Sequence, residues 1–436
     1  MKLTWLLLAL MIVVGCGGGA RQVSAPARPS GKGEEVASLR KRVLKNPTDA
    51  EARVALGEEL IRLRKFDEAV AQFDSALLQR PALLPAKFGR AAALYQQGQK
   101  TPALSGFLDV LNAPESAPFV PLIAATVGMP YSTRQITYGP GDNIKGRYSL
   151  AGNEIVFQSN RDGNWEIYRM PVEGANAVRL TYDPGDDLSP DFSPDGRLIV
   201  FASTRGASGK QNSGEKQRSL YQMNAADGSR VKRLVANKYD NWNPVHSPKG
   251  GWLVFVSDRD DQRDLDYGGR QSDLFIYALA DSSLQRFTHG FGDKSAPFVN
   301  LAGDMIYYIN NVNGDFEIYE QGVRETSGHR LLFEGGPKGS PQCSDDGKWL
   351  VYFEKNQNNF DLYIHRRESG QTERLTAHPA MDTFPCLQRQ GSKIIFTSNR
   401  SGSYQLFEID LKTPTTREEL AAGLSHLLSA SKTTAD

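Results

Sequence analysis

Two rhythms of apolar residues divide the chain. In the first, Val54, Leu56, Leu60, Ile61 and Leu63 recur at helical spacing. Phe66-Asp67-Glu68-Ala69 then turns the chain into a second helix that carries Val70, Phe73, Ala76 and Leu77. Pro81 stops that helix, because proline lacks an N–H and its ring clashes with the preceding turn. From about residue 132 the rhythm shortens to strand-length runs: Ile155–Phe157, Leu198–Phe201, Leu253–Val256, Met305–Tyr308, Leu350–Phe353 and Ile394–Phe396. Each follows a turn glycine, at Gly152, Gly196, Gly250, Gly303, Gly347 and Gly391, with spacings of 44, 54, 53, 44 and 44 residues. A further strand ends each unit, as in Glu166-Ile167-Tyr168, Glu317-Ile318-Tyr319 and Asp361-Leu362-Tyr363.

A period near 44 residues holding four strands is the unit of a propeller blade. The fold class read from the pattern is therefore multidomain α+β: N-terminal α-helical repeats, then an all-β six-bladed propeller over 131–411. The sixth unit stops after Leu411, short of an outer strand. That strand is found upstream, where Arg134-Gln135-Ile136-Thr137-Tyr138-Gly139-Pro140-Gly141-Asp142 mirrors Arg179-Leu180-Thr181-Tyr182-Asp183-Pro184-Gly185-Asp186. Residues 134–138 are expected to complete the last blade and 146–151 to open the first, which would close the ring and remove its free sheet edges. After the propeller, Thr416-Arg417-Glu418-Glu419 has the form of a capping box and opens a helix with Leu420, Leu424, Leu427 and Leu428 on one side; 412–436 is read as this helix and a tail.

The first residues read as an address. Lys2 precedes an apolar run, Trp5 to Val14, too short to span a bilayer, which needs about 20 residues. It ends in Val13-Val14-Gly15-Cys16, which resembles the lipobox of bacterial lipoproteins. The resemblance implies a signal peptide over 1–15, lipidation of Cys16, and a Gly/Ala/Pro/Ser-rich tether over 16–33. An ordinary secretory signal with a chance cysteine is the alternative. Gly17 in place of Asp after the cysteine points, by analogy, to the outer membrane.

Residues 34–129 carry Leu56, Gly57, Leu60, Ala69, Phe73, Ala76 and Pro81, a set that resembles a tetratricopeptide repeat; Ala91, Ala103, Phe107 and Pro114 continue it about 34 residues on. In that family the first helices line a groove for a partner's peptide. By position the groove residues would be Glu51, Val54, Glu58, Ile61, Arg62, Phe88, Ala92, Tyr95 and Gln96. They lack the Lys and Asn set that clamps a C-terminal carboxylate, and so short a stack could equally be a spacer.

The propeller units, with Ser193-Pro194-Asp195-Gly196, Phe201-Ala202-Ser203-Thr204-Arg205 and Ser159-Asn160-Arg161-Asp162-Gly163, resemble those of the TolB-like propeller family. The resemblance implies a periplasmic binding propeller with a peptidoglycan-associated protein as a possible partner. The same propeller also occurs in peptidases and sugar-cleaving enzymes, and the helical repeats here stand where that family has an α/β domain.

Charge narrows the choices. With 51 basic and 50 acidic residues the chain lacks the basic excess of a nucleic-acid binder. Three cysteines make no disulfide framework, and Cys343 and Cys386, offset by one position on successive inner strands, read as buried thiols. No His-Glu-x-x-His, Gly-x-Ser-x-Gly or Cys-x-x-Cys motif occurs, so no catalytic residue, metal or cofactor is expected. Asp142, Asp186, Asp187, Asp240, Asp293 and Asp382 precede the innermost strands and could form an acidic ring at the propeller mouth, or each could stabilise its own turn. Two insertions, Gly206–Arg218 and Asp260–Ser272, could form a lip on neighbouring blades. His246 lies on an innermost strand, more readily a packed imidazole than a ligand. The reading is a lipid-anchored, periplasm-facing, non-catalytic scaffold for cell-envelope proteins. The alternative is a propeller-class enzyme or channel-binding sensor acting on envelope oligosaccharides or peptides.

Overall fold

The computed structural model describes residues 32–433 apart from 175, 207–216, 236–238, 262–270, 313, 357–358 and 390. Cys16, the signal and most of the tether lie outside the described residues, as do most of the two insertions.

Among the described residues six α-helices come first: α1 (Lys32–Lys45), α2 (Ala50–Arg62), α3 (Phe66–Gln79), α4 (Leu84–Gln96), α5 (Lys100–Leu111) and α6 (Val120–Val127), the last preceded by a 3-10 turn at Ala117–Phe119. The repeat signature explains their packing. Phe73 of α3 is fully buried and fills the space over Gly57 of α2 and Gly89 of α4. A Cβ at those glycines would sit 2.6 and 2.4 Å from the Phe73 ring, so only hydrogen fits there. The second helical core joins Phe88, Phe107, Leu111, Phe119 and Ile123 to Leu420 and Leu424. These two leucines belong to the C-terminal helix α7 (Arg417–Thr433). The helical stack is therefore completed by the far end of the chain. The capping box at its start is formed: Thr416 N–H donates to Glu419 at 2.9 Å and Glu419 N–H to the Thr416 hydroxyl at 3.2 Å.

Twenty-four strands follow in six four-stranded antiparallel sheets. In the first five blades the strands run in sequence from innermost to outermost, beginning with β2 (Asn143–Tyr148), β6 (Asp187–Phe192), β10 (Asn241–His246), β14 (Asp293–Val299) and β18 (Lys338–Cys343). The sixth has the order β22-β23-β24-β1, with β22 at Asp382–Leu387, β24 at Gln405–Pro414 and β1 at Tyr131–Gln135. The N-terminal strand thus closes the ring, with Arg134 opposite Glu408 and Gln135 opposite Phe407. Its limits differ from the expected 134–138. β24 runs on to Pro414, so β1 starts opposite it at Tyr131, while Ile136 and Thr137 only add bonds to Leu406 O. The first inner strand likewise starts at Asn143 rather than 146.

Alternation along each strand sends apolar side chains to both neighbouring blades. Each of the six interfaces therefore holds its own cluster. At the seam, Tyr148, Ile155 and Phe157 of the first blade meet Cys386, Ile395 and Leu406 of the last. Five turn glycines, from Gly152 to Gly347, take φ between 70° and 77°, which glycine adopts without steric cost. Gly391 does not, and its Cβ position is crowded instead by Gln388.

The helices lie beside the fifth and sixth blades. Tyr95 stands against Arg374 and Asp361, and His378 packs edge-on against His426 of α7 with ring centroids 5.5 Å apart. The fold accordingly has two closures, one by β1 and one by α7. Leu420→Ala should cost about 2–5 kcal/mol in thermal unfolding, as a core deletion does, although Leu420 lies only sixteen positions from the last residue of the sequence. His378 supplies a pH test. Burial, Arg400 and His426 hold its imidazole down at about 4, and its Nδ1 accepts the Ala380 N–H at 3.0 Å. Between pH 6.5 and that value the unfolded chain binds more protons than the folded one, so stability must fall as pH drops through this window. Half-exposure limits the effect to on the order of 1 kcal/mol. Melting temperatures from pH 7 to 5 should show a slope that His378→Asn reduces.

Candidate functional site

The six inner strands surround an axial channel, and each carries the same irregularity. Pairing with the next strand skips one residue, as between Ile144/Arg147, Leu188/Asp191 and Thr383/Cys386. The extra residue takes a left-handed φ: Lys145 55°, Ser189 52°, Asn243 48°, Ala296 49°, Ser340 47° and Phe384 49°. Such a conformation costs a non-glycine residue about 1–3 kcal/mol, and it persists in all six blades because it turns the bulge toward the axis. Proline follows in five blades, at Pro190, Pro244, Pro297, Pro341 and Pro385, where the bulge leaves no ladder bond for an N–H to make. The bulge N–H groups reach the preceding blade instead. Lys145 N–H donates to Thr397 Oγ1 at 3.1 Å and Ser189 N–H to Gln158 Oε1 at 2.7 Å.

Residues of all six strands line a cavity of about 100 Å³. At the bulge level Lys145 donates to Ser189 Oγ at 3.2 Å, and Ser189 donates to Asn243 Oδ1 at 2.8 Å. The Lys145 ammonium also lies 5.2 Å from the centre of the Phe384 ring. Burial, with Arg218 nearby, lowers it to about 8. One step deeper a cavity of about 60 Å³ is lined by Arg147, Asp191, His246, Gln342, Cys386 and Arg389, among others. There Arg147 Nε meets Asp191 at 3.2 Å, and Asp191 accepts the His246 N–H at 2.8 Å. His246 is buried and held below its usual range by desolvation; its Nδ1 and Gln342 Oε1 are buried without a hydrogen-bond partner. Cys343 and Cys386 are free and buried. Among the described residues no three His, Cys, Asp or Glu side chains converge as metal ligands.

The aspartates expected at the mouth are engaged within the protein. Asp142, Asp186, Asp240 and Asp293 each accept a backbone N–H from the preceding blade, those of Tyr404, Trp165, Arg218 and Ser272. They bond across the blade junction rather than within their own turns. Asp187 and Asp382 are buried against Arg205 and Arg400. Burial still pushes the Asp187 carboxyl up to about 6. A free acidic ring is not what these carboxylates form, because four of them fasten one blade to the next and the other two are paired with an arginine of their own blade.

The arginines belong to a motif whose role the sequence did not reveal. Each blade stacks an aromatic pair between its second and third strands, such as Phe201 on Tyr221 and Phe396 on Phe407. Four blades end the second strand in Ser-x-Arg. That arginine lies over the pair, takes the serine hydroxyl as acceptor, and reaches the first residue of the inner strand. Arg400, for example, sits 4.9 Å from the Phe407 ring, bonds Ser398 Oγ at 2.9 Å and Asp382 at 2.7 Å. Two blades lack it and use a buried lysine of the inner strand. Lys294 Nζ donates to the carbonyls of Gly290, Phe291 and Gly292 at 2.7, 3.0 and 2.8 Å, and Lys338 bonds Glu334 O and Gly336 O.

The crossovers from each outer strand to the next inner strand share one face. They expose Tyr138 at 66%, Tyr182 at 73%, Phe291 at 91%, Phe333 at 47% and Met381 at 37%, so five of the crossovers each present an apolar side chain on that face. The helical residues are arranged differently from an open groove. Val54, Phe88 and Ala92 are buried in the helical cores, and Ile61 is half-buried against both. Tyr95 faces the propeller. Glu51 pairs with Arg80, and Arg62 with Glu59 and Glu35. Glu58 and Gln96 stay partly exposed, with burial and Glu59 raising the Glu58 carboxyl. Val54, Phe88 and Ala92 are covered because α6 and the neighbouring helices close over that face of so short a stack.

Residues 130–327 match the tricorn protease N-terminal beta propeller domain. Among solved structures the chain is similar to TolB from Acinetobacter baumannii, at 17% identity and a TM-score of 0.48 over 58% of this chain. It spans 59% of that TolB chain. It is also similar to oligogalacturonate lyase from Vibrio parahaemolyticus, at 13% identity and a TM-score of 0.47, covering 64% of this chain and 94% of the other. A gluconolactonase from Xanthomonas campestris gives 11%, 0.49, 67% and 93% for the same quantities. No curated protein matches the sequence. The architecture is that of a six-bladed propeller with a helical N-terminal module, and identities this low leave each relative's chemistry with that relative.

Replacing Arg400 by Met should cost about 3–5 kcal/mol, since it strands the buried Asp382 carboxylate and removes the cation over two rings. Chemical denaturation would show it, and Arg400→Lys should not restore stability, because one ammonium cannot span serine, aspartate and ring face together.

Proposed function

We propose that the protein is a lipid-anchored cell-envelope scaffold that binds partner proteins on the mouth face of its propeller. The exposed crossover residues carry this reading: Tyr138, Tyr182, Phe291, Phe333 and Met381 lie on crossovers that share one face. Solvent-exposed aromatics rimmed by polar groups are what protein interfaces use as anchors, because they bury much area and lose little side-chain entropy. The anchor would be Cys16, whose acyl chains contribute about 0.8 kcal/mol per buried methylene. The tether over 16–33 would let the propeller reach partners away from the membrane. No described helix is long and apolar enough to cross a membrane. A peptidoglycan-associated protein is one partner of suitable kind, and the exposed Glu51 with the partly exposed Glu58, Arg62 and Gln96 could provide a second, weaker contact surface.

The test uses the full-length protein in membranes. Tyr182→Asp with Phe291→Asp should lower crosslinking to envelope partners at least about tenfold, as loss of an interface anchor does, with melting temperature unchanged. Equal crosslinking would remove the mouth face from consideration. Separately, Cys16→Ala should shift the protein from the membrane to the soluble fraction.

A further inference from the structure

We propose that the axial channel is a binding site for a small carboxylate, held at the bulge level by Lys145 with Asn243 beside it. This goes beyond the partner-binding reading and does not depend on it.

The argument begins with charge. Lys145 donates to a neutral hydroxyl, Ser189 Oγ, and among the described residues its ammonium has no carboxylate within ion-pair distance. Asp191, the acid lining the next level, is already engaged by Arg147 and by the His246 N–H. Arg389, also in the channel, is paired with Asp345 at 2.9 Å. The remaining strands offer Ala296, Ser340, Gln342, Phe384 and Cys386, none of them anionic at neutral pH with the thiol raised by burial. Among the described residues the channel therefore holds one uncompensated positive charge, since Arg218, the other cation close to Lys145, is paired with Asp240. An enclosed ammonium without a counter-ion is costly, and a bound monoanion would remove that cost.

Hydrogen bonding and shape narrow the ligand. Ser189 spends its proton on Asn243 Oδ1, which directs the Asn243 amide N–H groups elsewhere. An ammonium and an amide suit the two oxygens of a carboxylate. Phe384, Ala296, Val245 and four prolines supply apolar wall, and the remaining polar side chains there are Ser340, Gln342 and the Asp191-paired Arg147. A cavity of about 100 Å³ admits only a few heavy atoms. One net charge favours a monoanion over a phosphate dianion.

Calorimetric melting of the full-length protein, at constant ionic strength, tests the site with acetate, propionate and pyruvate against chloride, all at tens of millimolar. At least one carboxylate should raise the melting temperature by about 2–4 °C, and its neutral methyl ester should not. Lys145→Met should abolish the rise. In chloride alone this variant should melt no lower than the wild type, since it loses an unpaired charge; a merely structural lysine would give the opposite. Asn243→Ala, which keeps the charge, should weaken acetate binding about tenfold by titration calorimetry, so the test survives a misfolded lysine variant. The proposal fails if no carboxylate stabilises the wild type beyond chloride, if phosphate alone does, or if Lys145→Met still responds. Tyr182→Asp and Phe291→Asp should leave the response intact, so this proposal and the partner-binding one fail separately.

Discussion

A sheet that repeats around an axis has no natural stopping point, and the structure depends on how this one is made to stop. Each blade buries apolar side chains on both faces, so a blade without two neighbours would expose a core. Closure requires one blade built from both ends of the repeat array, and β1 beside β24 provides it. The helical module has the matching problem, since its last described N-terminal helix, α6, spans only eight residues. α7 answers it by returning from beyond the propeller to put Leu420 and Leu424 against Phe107 and Leu111. The propeller is thus closed by the strand at its own start, and the helical module by a helix from beyond the propeller, so the helical core is complete only once the end of the chain has come back to it.

The same closure shapes the candidate sites. Once the blades are fastened to one another by Asp142, Asp186, Asp240 and Asp293 at the crossovers, these carboxylates are no longer available to a ligand. What the crossovers leave exposed is aromatic instead. The axis, by contrast, keeps Gln342 Oε1 and His246 Nδ1 without a hydrogen-bond partner, and a Lys145 ammonium that donates to a neutral serine and, among the described residues, meets no carboxylate. The mouth and the channel are consequently chemically different surfaces, one suited to a protein face and the other to a small polar ligand.

Legibility followed range in sequence. The helices, blade count, closing strand and capping box could be read, because each rests on a local rhythm or on a repeat that can be compared with its copies. Phe73 over Gly57 and Gly89 was half legible: Gly57 and Phe73 stood out as repeat positions, but not their contact, nor Gly89 on the ring's other side. The bulges were missed, although prolines recurring at Pro190, Pro244, Pro297, Pro341 and Pro385 marked them. The groove was overestimated. Helical position places Phe88 and Ala92 on the first-helix face, but whether that face stays open depends on what packs over it.

By itself, then, the sequence determined the elements, their number and the pairing of the chain's two distant strands, since apolar periodicity and turn residues act over a few positions and repeat. Only the tertiary structure decided which polar groups are consumed and which remain. Asp382 and Lys145 look alike in the sequence, each a charged residue of an inner strand. One meets Arg400 across its blade, and the other, turned by a left-handed bulge, meets a serine hydroxyl and a phenylalanine ring. Whether a charge is neutralised depends on partners brought within a few ångströms by the closing of the ring, and that distance is set by packing rather than by position along the chain.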